Sequence, residues 1–343
     1  MSQCCCNEFK SNCCCADIAG DVPVVSTSLS FKDRLGAWGA RWNIGRMNYK
    51  VEPGLYAVGK PGGDSPVLVS ANYKLTFDVL RSNLSGLDCW ILVLDTKGIN
   101  VWCAAGKGTF GTCELVSRIE ETGLSEIVTH RKLILPQLGA SGVSAHEVAR
   151  RTGFSVTYGP VRASDIKEFI SSGGKATKEM RTVKFTLTDR LVLTPVELVQ
   201  AAQKSLPFFG VLFLLNLFAA RQFGAYDFAA YAGAVLMGAV ITPVLLPFIP
   251  GRAFSWKGWL LGLCWTAIAS WLFGWFTQER WMLAAGYLLL LPSLSAYIAL
   301  NFTGCSTYTS PSGVLKEMRA ALPLIAVSSV AGAGLVLVKN LFG

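Results

Sequence analysis

The chain has 343 residues, of which 52% are hydrophobic and 15% are charged, and its formal net charge is +9. Charged residues make up about a quarter of an ordinary soluble protein, so this composition excludes a wholly soluble chain of the usual kind. The apolar excess lies almost entirely after Ser205, which predicts a soluble part followed by a membrane part. The basic residues are scattered and accompany no recognition motif, so we expect no nucleic-acid partner.

Residues 1–50 contain two cysteine triplets, at 4–6 and 13–15. No basic segment followed by an apolar one precedes a cleavage site, so we expect no signal peptide. Adjacent cysteines do not reproduce the C-x-x-C spacing of metal sites. We expect a Cys-rich, disordered tail and lead-in. The alternative is that its thiolates capture a soft metal ion and pass it on.

Residues 51–204 alternate between short apolar runs and amphipathic segments. The apolar runs that predict strands lie at 67–69, 90–94, 132–135 and 156–158, with a further strand-like run at 183–187. The segments that predict helices lie at 76–81, 112–122, 145–151 and 163–171. This alternation predicts an α/β domain with a mostly parallel sheet and helices on both faces. Such folds bind ligands at the carboxyl ends of their strands.

The stretch from Gly98 to Gly111, GINVWCAAGKGTFG, follows one of these predicted strands. Cys103 stands beside Trp102 and is followed by small residues, so a large flat partner has room to approach the backbone. The stretch lacks the glycine and Ser/Thr positions of a phosphate-binding loop, and no suitably placed acidic residue supports a dinucleotide site. A buried cysteine next to a core tryptophan remains the alternative.

The run Asn100-Val101-Trp102-Cys103-Ala104-Ala105-Gly106-Lys107 resembles the cap-helix signature of the HgcA family, the membrane-bound corrinoid proteins of microbial mercury methylation. It is also similar to the corrinoid-binding domain of the corrinoid iron-sulfur protein. The resemblance, taken from about residue 51 to the C-terminus, implies a doubly wound, Rossmann-like domain over 51–204 that binds a cobalamin-type corrinoid. The residues implied to contact the corrinoid are Asn72, Thr76, Asn100, Val101, Trp102, Cys103, Ala104, Ala105, Gly106, Lys107, Gly108, Thr109, Gln137, Gly139 and Gly142. Ordinary turn chemistry is the alternative for those in loops.

The same resemblance implies that Cys103 is catalytic, as the lower ligand of the cobalt. Metal coordination deprotonates a thiol. A charged sulfur donor opposite a methyl group favours its departure as a carbanion or radical, which suits an electrophilic Hg(II) acceptor. Neither His130 nor His146 lies in the D-x-H-x-x-G context of a histidine-ligated corrinoid.

The expected activity is therefore methyl transfer from methyl-cobalt(III) corrinoid to Hg(II), which forms methylmercury. The resemblance implies a methyl-folate-linked methyl donor and HgcB, a two-cluster ferredoxin-like protein, as electron donor. One alternative is a membrane-tethered corrinoid methyl carrier of one-carbon metabolism. A different class of alternative is a metal transporter or sensor with an α/β regulatory domain.

The part from 205 to 343 is predicted to be an all-α transmembrane bundle of five helices. The apolar runs lie at 206–220, 228–249, 259–276, 282–302 and 320–338, each near the roughly 20 residues of a spanning helix. Basic residues are more frequent in the loops on the side of the N-terminal part, which predicts a multi-pass protein of the cytoplasmic membrane with the soluble domain in the cytoplasm. No ionisable residue lies in the middle of a run, which disfavours an ion transporter.

Overall fold

The computed structural model describes residues 22–218, 223–305, 308 and 310–342, so both cysteine triplets lie outside the described residues. The described chain divides into two compact units. The first, the α/β unit, comprises residues 22–37 and 47–182. The second, the helical unit, comprises residues 38–46 and the described part of 183–343. A mixed α/β domain followed by a helical region confirms the predicted order of structural classes.

A helix, α1 (Phe31–Arg41), forms within the stretch that we assigned to the tail and lead-in. Its start is fixed by Ser30 and Asp33: the Asp33 N–H donates to the Ser30 hydroxyl at 3.2 Å, and the Ser30 N–H donates back to the Asp33 carboxylate at 3.0 Å. This reciprocal pair satisfies two backbone donors that a helix start otherwise leaves open. A short 3₁₀ turn, Arg46–Asn48, follows.

The α/β unit is built on one five-stranded sheet. Its strands are β1 (Gly54–Val58), β2 (Val67–Ala71), β3 (Cys89–Leu94), β4 (Lys132–Leu135) and β5 (Ser155–Tyr158). Their order across the sheet is β1-β3-β2-β4-β5. Strands β2 to β5 pair in parallel, as predicted, whereas β1 is an antiparallel edge strand that the sequence analysis missed.

Helices pack on both faces of this sheet. They are α2 (Lys74–Ser82), α3 (Val101–Lys107), α4 (Thr112–Glu121), α5 (Leu124–Ile127), α6 (Ala145–Thr152) and α7 (Ile166–Ser171). Val67 and Val69 of β2 belong to the apolar cluster that includes α3, α4, α5 and α6. Leu68, between them, belongs to the opposite cluster, with residues of α2 and α7. Because successive side chains of a strand point to opposite faces of the sheet, β2 contributes to both apolar cores.

A buried ion-pair network joins the segment before α1 to helix α2. Lys74 contacts Asp33 at 2.6 Å and Asp78 at 2.8 Å, and Arg81 contacts the same two carboxylates at 2.9 and 2.7 Å. Arg81 also donates to the backbone carbonyl of Ser26. The hydrogen bond from Lys74, with those from Ser30 and Arg81, holds the pKa of the Asp33 carboxyl well below its usual range.

We expect acid to weaken this network. A carboxyl whose pKa falls on folding stabilises the native state fully above its unfolded pKa, near 4 for aspartate, and loses that contribution as the pH falls toward the folded value. Thermal melts of the full chain should therefore show Asp33→Asn less stable than the parent at neutral pH. The difference between the two melting temperatures should begin to shrink below about pH 4 and keep shrinking as the pH falls further toward the folded pKa of Asp33. A constant difference at every pH would contradict this assignment.

The helical unit contains α8 (Leu187–Leu191), α9 (Thr194–Asn216), α10 (Ala225–Leu236), α11 (Thr242–Leu245), α12 (Phe254–Leu272), α13 (Trp281–Asn301) and α14 (Pro311–Phe342). The predicted strand at 183–187 is wrong, because the described chain is extended without a partner strand there and then enters α8. Helix α9 begins at Thr194 with proline in its first turn, where the missing backbone N–H breaks no helical hydrogen bond.

Four stretches of the described chain are long and apolar enough to cross a membrane, not the five that we predicted. They are Leu187–Asn216, Ala225–Leu245, Trp281–Gly304 and Ser312–Phe342. The third predicted run does form a helix, α12, of 19 residues. Its four tryptophans, its small residues and Lys257 lower its mean hydropathy relative to the other four.

Candidate functional site

A cleft opens at the carboxyl ends of the parallel strands of the α/β unit. These strands lie in the order β3-β2-β4-β5, so the connections leave β2 and β4 in opposite directions across the sheet. Such a switch point is where open α/β sheets bind ligands. The cleft has a volume of about 360 Å³ and is walled by β2, α2, the start of α3, the end of β4 and residues 159–163.

Four of the predicted corrinoid contacts line this cleft: Thr76, Asn100, Val101 and Trp102. Asn100 also shapes the wall, because its side-chain oxygen accepts the backbone N–H of Cys103 at 2.9 Å and so caps α3. The helix ends at Gly108 in the left-handed conformation, with φ 79°. The signature run therefore forms one short helix of about two turns, capped at both ends, whose first residues line the cleft.

Cys103 is a free, half-buried thiol in the first turn of α3. It directly follows Trp102 but is not itself among the residues that line the cleft. Trp102 is 36% exposed and is not a core residue, which excludes the alternative of a cysteine beside a core tryptophan. Cys89 differs sharply, since burial raises the pKa of its thiol to about 12. Of these two cysteines, only Cys103 is partly exposed, and it directly follows a residue of the cleft wall.

Asn72 is placed inside the fold rather than on the cleft wall. It is 1% exposed, and its amide nitrogen donates to the Asp95 carboxylate at 3.0 Å. Its amide oxygen accepts the N–H of Thr96 at 3.1 Å, the Thr96 hydroxyl at 2.9 Å and the N–H of Gly98 at 3.0 Å. Asn72 therefore fixes the loop that leads from β3 to Asn100 and α3.

Gly139 and Gly142 let the loop after β4 pack directly against the region of α3. A Cβ atom on Gly139 would lie 2.5 Å from the ring of Phe110, and one on Gly142 would lie 2.1 Å from the Phe110 carbonyl oxygen. Gln137, in the same loop, accepts a hydrogen bond from Arg181 at 3.2 Å. All three residues lie outside the cleft lining, and the two glycines allow the loop to pack closely beside α3.

The other residues of the signature run fall into two groups. Ala104 and Ala105 are buried against the sheet, and Thr109 contacts the Ala104 carbonyl at 3.4 Å. Gly106, Lys107 and Gly108 are exposed at the end of the helix, away from the cleft lining.

One wall of the cleft was missed by the sequence analysis. Residues 159–163, which follow β5, bring Pro160, Val161 and Arg162 to its edge. Gly159-Pro160 stands immediately after a predicted strand, and that turn signal could have identified the segment.

Within the described residues, no group of three or more His, Cys, Asp or Glu side chains is arranged to hold a metal ion. His130 contacts the Ser65 carbonyl at 2.8 Å through Nε2, and the Nδ1 atom of His146 contacts the Ser144 hydroxyl at 2.9 Å. Neither histidine lines the cleft.

Comparison with known proteins finds similarity over the α/β unit. The family model described as CO dehydrogenase/acetyl-CoA synthase delta subunit matches residues 44–170. The gamma subunit of the acetyl-CoA decarbonylase/synthase complex of Methanopyrus kandleri is 37% identical over 131 residues, which are 38% of this chain and 28% of the relative. The corresponding subunit of Archaeoglobus fulgidus is 38% identical over 127 residues, 36% of this chain and 27% of the relative.

These comparisons correct the resemblance stated above. They name acetyl-CoA decarbonylase/synthase subunits and not the HgcA family, and the family match ends at residue 170 instead of continuing to the C-terminus. A run of eight residues on one short helix was too small a basis for choosing between related cofactor domains. The chain spans less than a third of the length of these curated relatives. Over its α/β unit, the chain is similar to subunits of the acetyl-CoA decarbonylase/synthase complex.

Proposed function

We propose that this chain is a corrinoid-binding protein of one-carbon metabolism that carries methyl groups at a membrane. The observation that carries the proposal is that the cleft lies entirely within the region that matches the family model. The family match covers residues 44–170, and every wall of the cleft falls between Leu68 and Ile166. The relatives are named as subunits of a complex that makes or cleaves acetyl-CoA. We propose that other subunits of such a complex are its partners.

The cleft is chemically suited to a corrinoid. Its walls are mostly aliphatic, with Leu75, Val79 and Leu138 among them, and would cover the apolar face of a macrocycle. Ser70, Thr76 and Asn100 supply hydroxyl and amide groups for the amide side chains that surround a corrin ring. The Rossmann-like description of this unit is supported by its strand order and by the helices on both faces of the sheet.

When bound, a corrinoid supplies a cobalt centre that accepts and releases a methyl group. We propose that Trp102 covers the ring edge, because its indole is part of the cleft wall and still 36% exposed. Asn100 orients the first turn of α3 and so positions Cys103. The Cys103 thiol is the one soft donor that this turn offers, and we propose that it would hold the cobalt of a bound corrinoid.

Two acceptors are possible for the methyl group. Other subunits of a decarbonylase/synthase-type complex are the first candidates, from the names of the relatives. Mercury(II) is a second candidate on one specific observation, the accessible Cys103 thiol beside the cleft, because a sulfur-ligated cobalt would favour an electrophilic soft-metal acceptor. Since the described residues hold no cluster of metal ligands, we propose a separate iron-sulfur protein such as a two-cluster ferredoxin as the electron donor.

The test uses the full chain, purified without oxygen and incubated with hydroxocobalamin, followed by gel filtration and X-ray absorption at the cobalt edge. We expect the parent protein to retain corrinoid with a sulfur ligand, and Cys103→Ala to retain corrinoid without it. Cys113→Ala is the matched control, since Cys113 is another half-buried thiol of the same unit. Absence of corrinoid from the parent protein would overturn the function, and an unchanged cobalt environment in Cys103→Ala would overturn the ligand assignment alone.

The acceptor is tested with the same protein loaded with methylcobalamin. Methylmercury formed from thiol-bound Hg(II) by the parent but not by Cys103→Ala would favour mercury as acceptor. Methyl transfer only to a decarbonylase/synthase subunit would exclude it.

A further inference from the structure

Helix α1 exposes an apolar stripe that the fold leaves uncovered. Phe31, Leu35 and Trp38 are 80%, 56% and 56% exposed. Successive helical residues rotate by about 100°, so the spacing i, i+4, i+7 places all three side chains on one narrow face. Trp42 continues the same spacing just past the helix, with its ring centroid 5.8 Å from that of Trp38. Isolated exposed apolar residues are common, but an aligned series of this size indicates a surface that something covers.

The opposite face of α1 is already used by the protein. Asp33 forms the ion pairs with Lys74 and Arg81, and its backbone carbonyl accepts the Tyr49 hydroxyl at 3.1 Å. A Cβ atom on Gly36 would lie 2.6 Å from the ring of Tyr49, so the helix backbone lies against that ring. Ala40 is fully buried. The orientation of α1 is thus fixed, and the fixed orientation turns the stripe outward.

Basic side chains flank the stripe on both sides. Lys32 lies about 100° from Phe31 in one sense and Arg34 about 60° in the other, and both are exposed. The only acidic residue of α1, Asp33, has its charge taken up by Lys74 and Arg81. The outward surface of the helix is therefore apolar in the centre and positive at its edges. That is the pattern of a helix that lies in a membrane interface with anionic headgroups, where tryptophan is also favoured.

We propose that α1 binds the surface of an anionic phospholipid bilayer, with Phe31, Leu35 and Trp38 inserted among the headgroups and Lys32 and Arg34 paired with lipid phosphates. The same chain carries four helices able to span a bilayer, so a membrane surface is at hand. This contact would attach helix α1 itself to the membrane surface. It does not depend on what the cleft binds.

The experiment places the full chain in nanodiscs of phosphatidylcholine, with or without phosphatidylglycerol. A nitroxide on a clickable unnatural amino acid is introduced at Leu35, and in separate samples at Phe31 and Trp38. Glu120, exposed on α4, carries the control label. Power-saturation spectra give the accessibility of each label to oxygen, which partitions into lipid, and to a water-soluble nickel complex.

We expect the three stripe labels in phosphatidylglycerol discs to be accessible to oxygen and shielded from nickel, and the Glu120 label to show the reverse. The double variant Lys32→Gln/Arg34→Gln should reduce the equilibrium constant for immersion by about fivefold for each residue. The control Lys167→Gln/Lys175→Gln, two exposed lysines elsewhere on the α/β unit, should not reduce it. Stripe labels open to nickel in both lipids would overturn the proposal and point to a protein partner. Equal immersion in neutral lipid would overturn the electrostatic part.

Discussion

Replacing Val79 by tryptophan is expected to weaken corrinoid retention by about a hundredfold, equivalent to roughly 3 kcal/mol. Val79 lies on α2, lines the cleft and is 45% exposed, so a larger side chain can be accommodated without disturbing the core. The indole would occupy space in a cleft of about 360 Å³ that a flat macrocycle requires. The measurement is titration of the full chain with hydroxocobalamin, monitored by tryptophan fluorescence or calorimetry.

Ser85→Trp is the matched control for this substitution. Ser85 is exposed just beyond the end of α2 and does not line the cleft, so the same indole there should leave the affinity unchanged. Full retention of corrinoid by Val79→Trp, with an unaltered melting temperature, would show that the cofactor binds elsewhere. Equal loss in both variants would indicate a general effect of the added tryptophan.

Asn72→Ala is expected to destabilise the α/β unit by about 3 kcal/mol. The substitution leaves the N–H groups of Thr96 and Gly98 without the acceptor that they share in the parent, whereas the Thr96 hydroxyl keeps its bond to the Ile99 carbonyl at 2.6 Å. An unsatisfied buried donor costs more than a hydrogen bond contributes, because its hydration is lost without replacement. For a unit of this size the loss corresponds to a fall in melting temperature of about 6–12 °C.

The loss of stability in Asn72→Ala should originate in the loop between β3 and α3. Hydrogen exchange followed by mass spectrometry should show faster exchange in peptides that contain residues 95–103, and corrinoid affinity should fall with it. Asn83→Ala is the control, because the side-chain amide of Asn83 makes one hydrogen bond, to the Val79 carbonyl at 2.8 Å, near the surface. If both variants melt alike, the amide of Asn72 does not organise the loop.

The parallel strands and the position of the cleft could be predicted from the sequence, because short apolar runs alternate there with amphipathic helical segments. The two central strands, β2 and β3, are apolar runs buried along their whole length, which is the pattern of parallel strands covered on both faces. Strands β4 and β5 are shorter and less buried, and turn residues mark their ends. Their carboxyl ends then bring Thr76 and the Asn100 stretch to one cleft. The antiparallel strand β1 was missed because GLYAV begins with glycine, is only partly buried, and pairs with β3 more than 30 residues away, with no hairpin turn to signal the pairing.

The role of individual loop residues was harder to predict. Asn72, Gly139 and Gly142 follow strands in the same way as Thr76 does, and only packing distinguishes a residue that faces the cleft from one that supports the wall. Helix α1 had a signal, the spacing of Phe31, Leu35 and Trp38, but the cysteine triplets upstream drew that segment into the tail. The family assignment failed because it depended on one helix, whereas the comparisons use the whole unit.

The ion-pair network around Asp33 shows that the folded unit begins earlier in the chain than the region that matches the family model. The family match begins at residue 44, but a fragment cut there would lose Asp33 and leave Asp78 as the single carboxylate facing Lys74 and Arg81. It would also remove the carbonyl oxygens of Ser26 and Ser28, which accept from Arg81. Two half-buried cations would then share one anion. The smallest fragment able to fold on its own should therefore start some twenty residues before the homologous region does, upstream of Ser26.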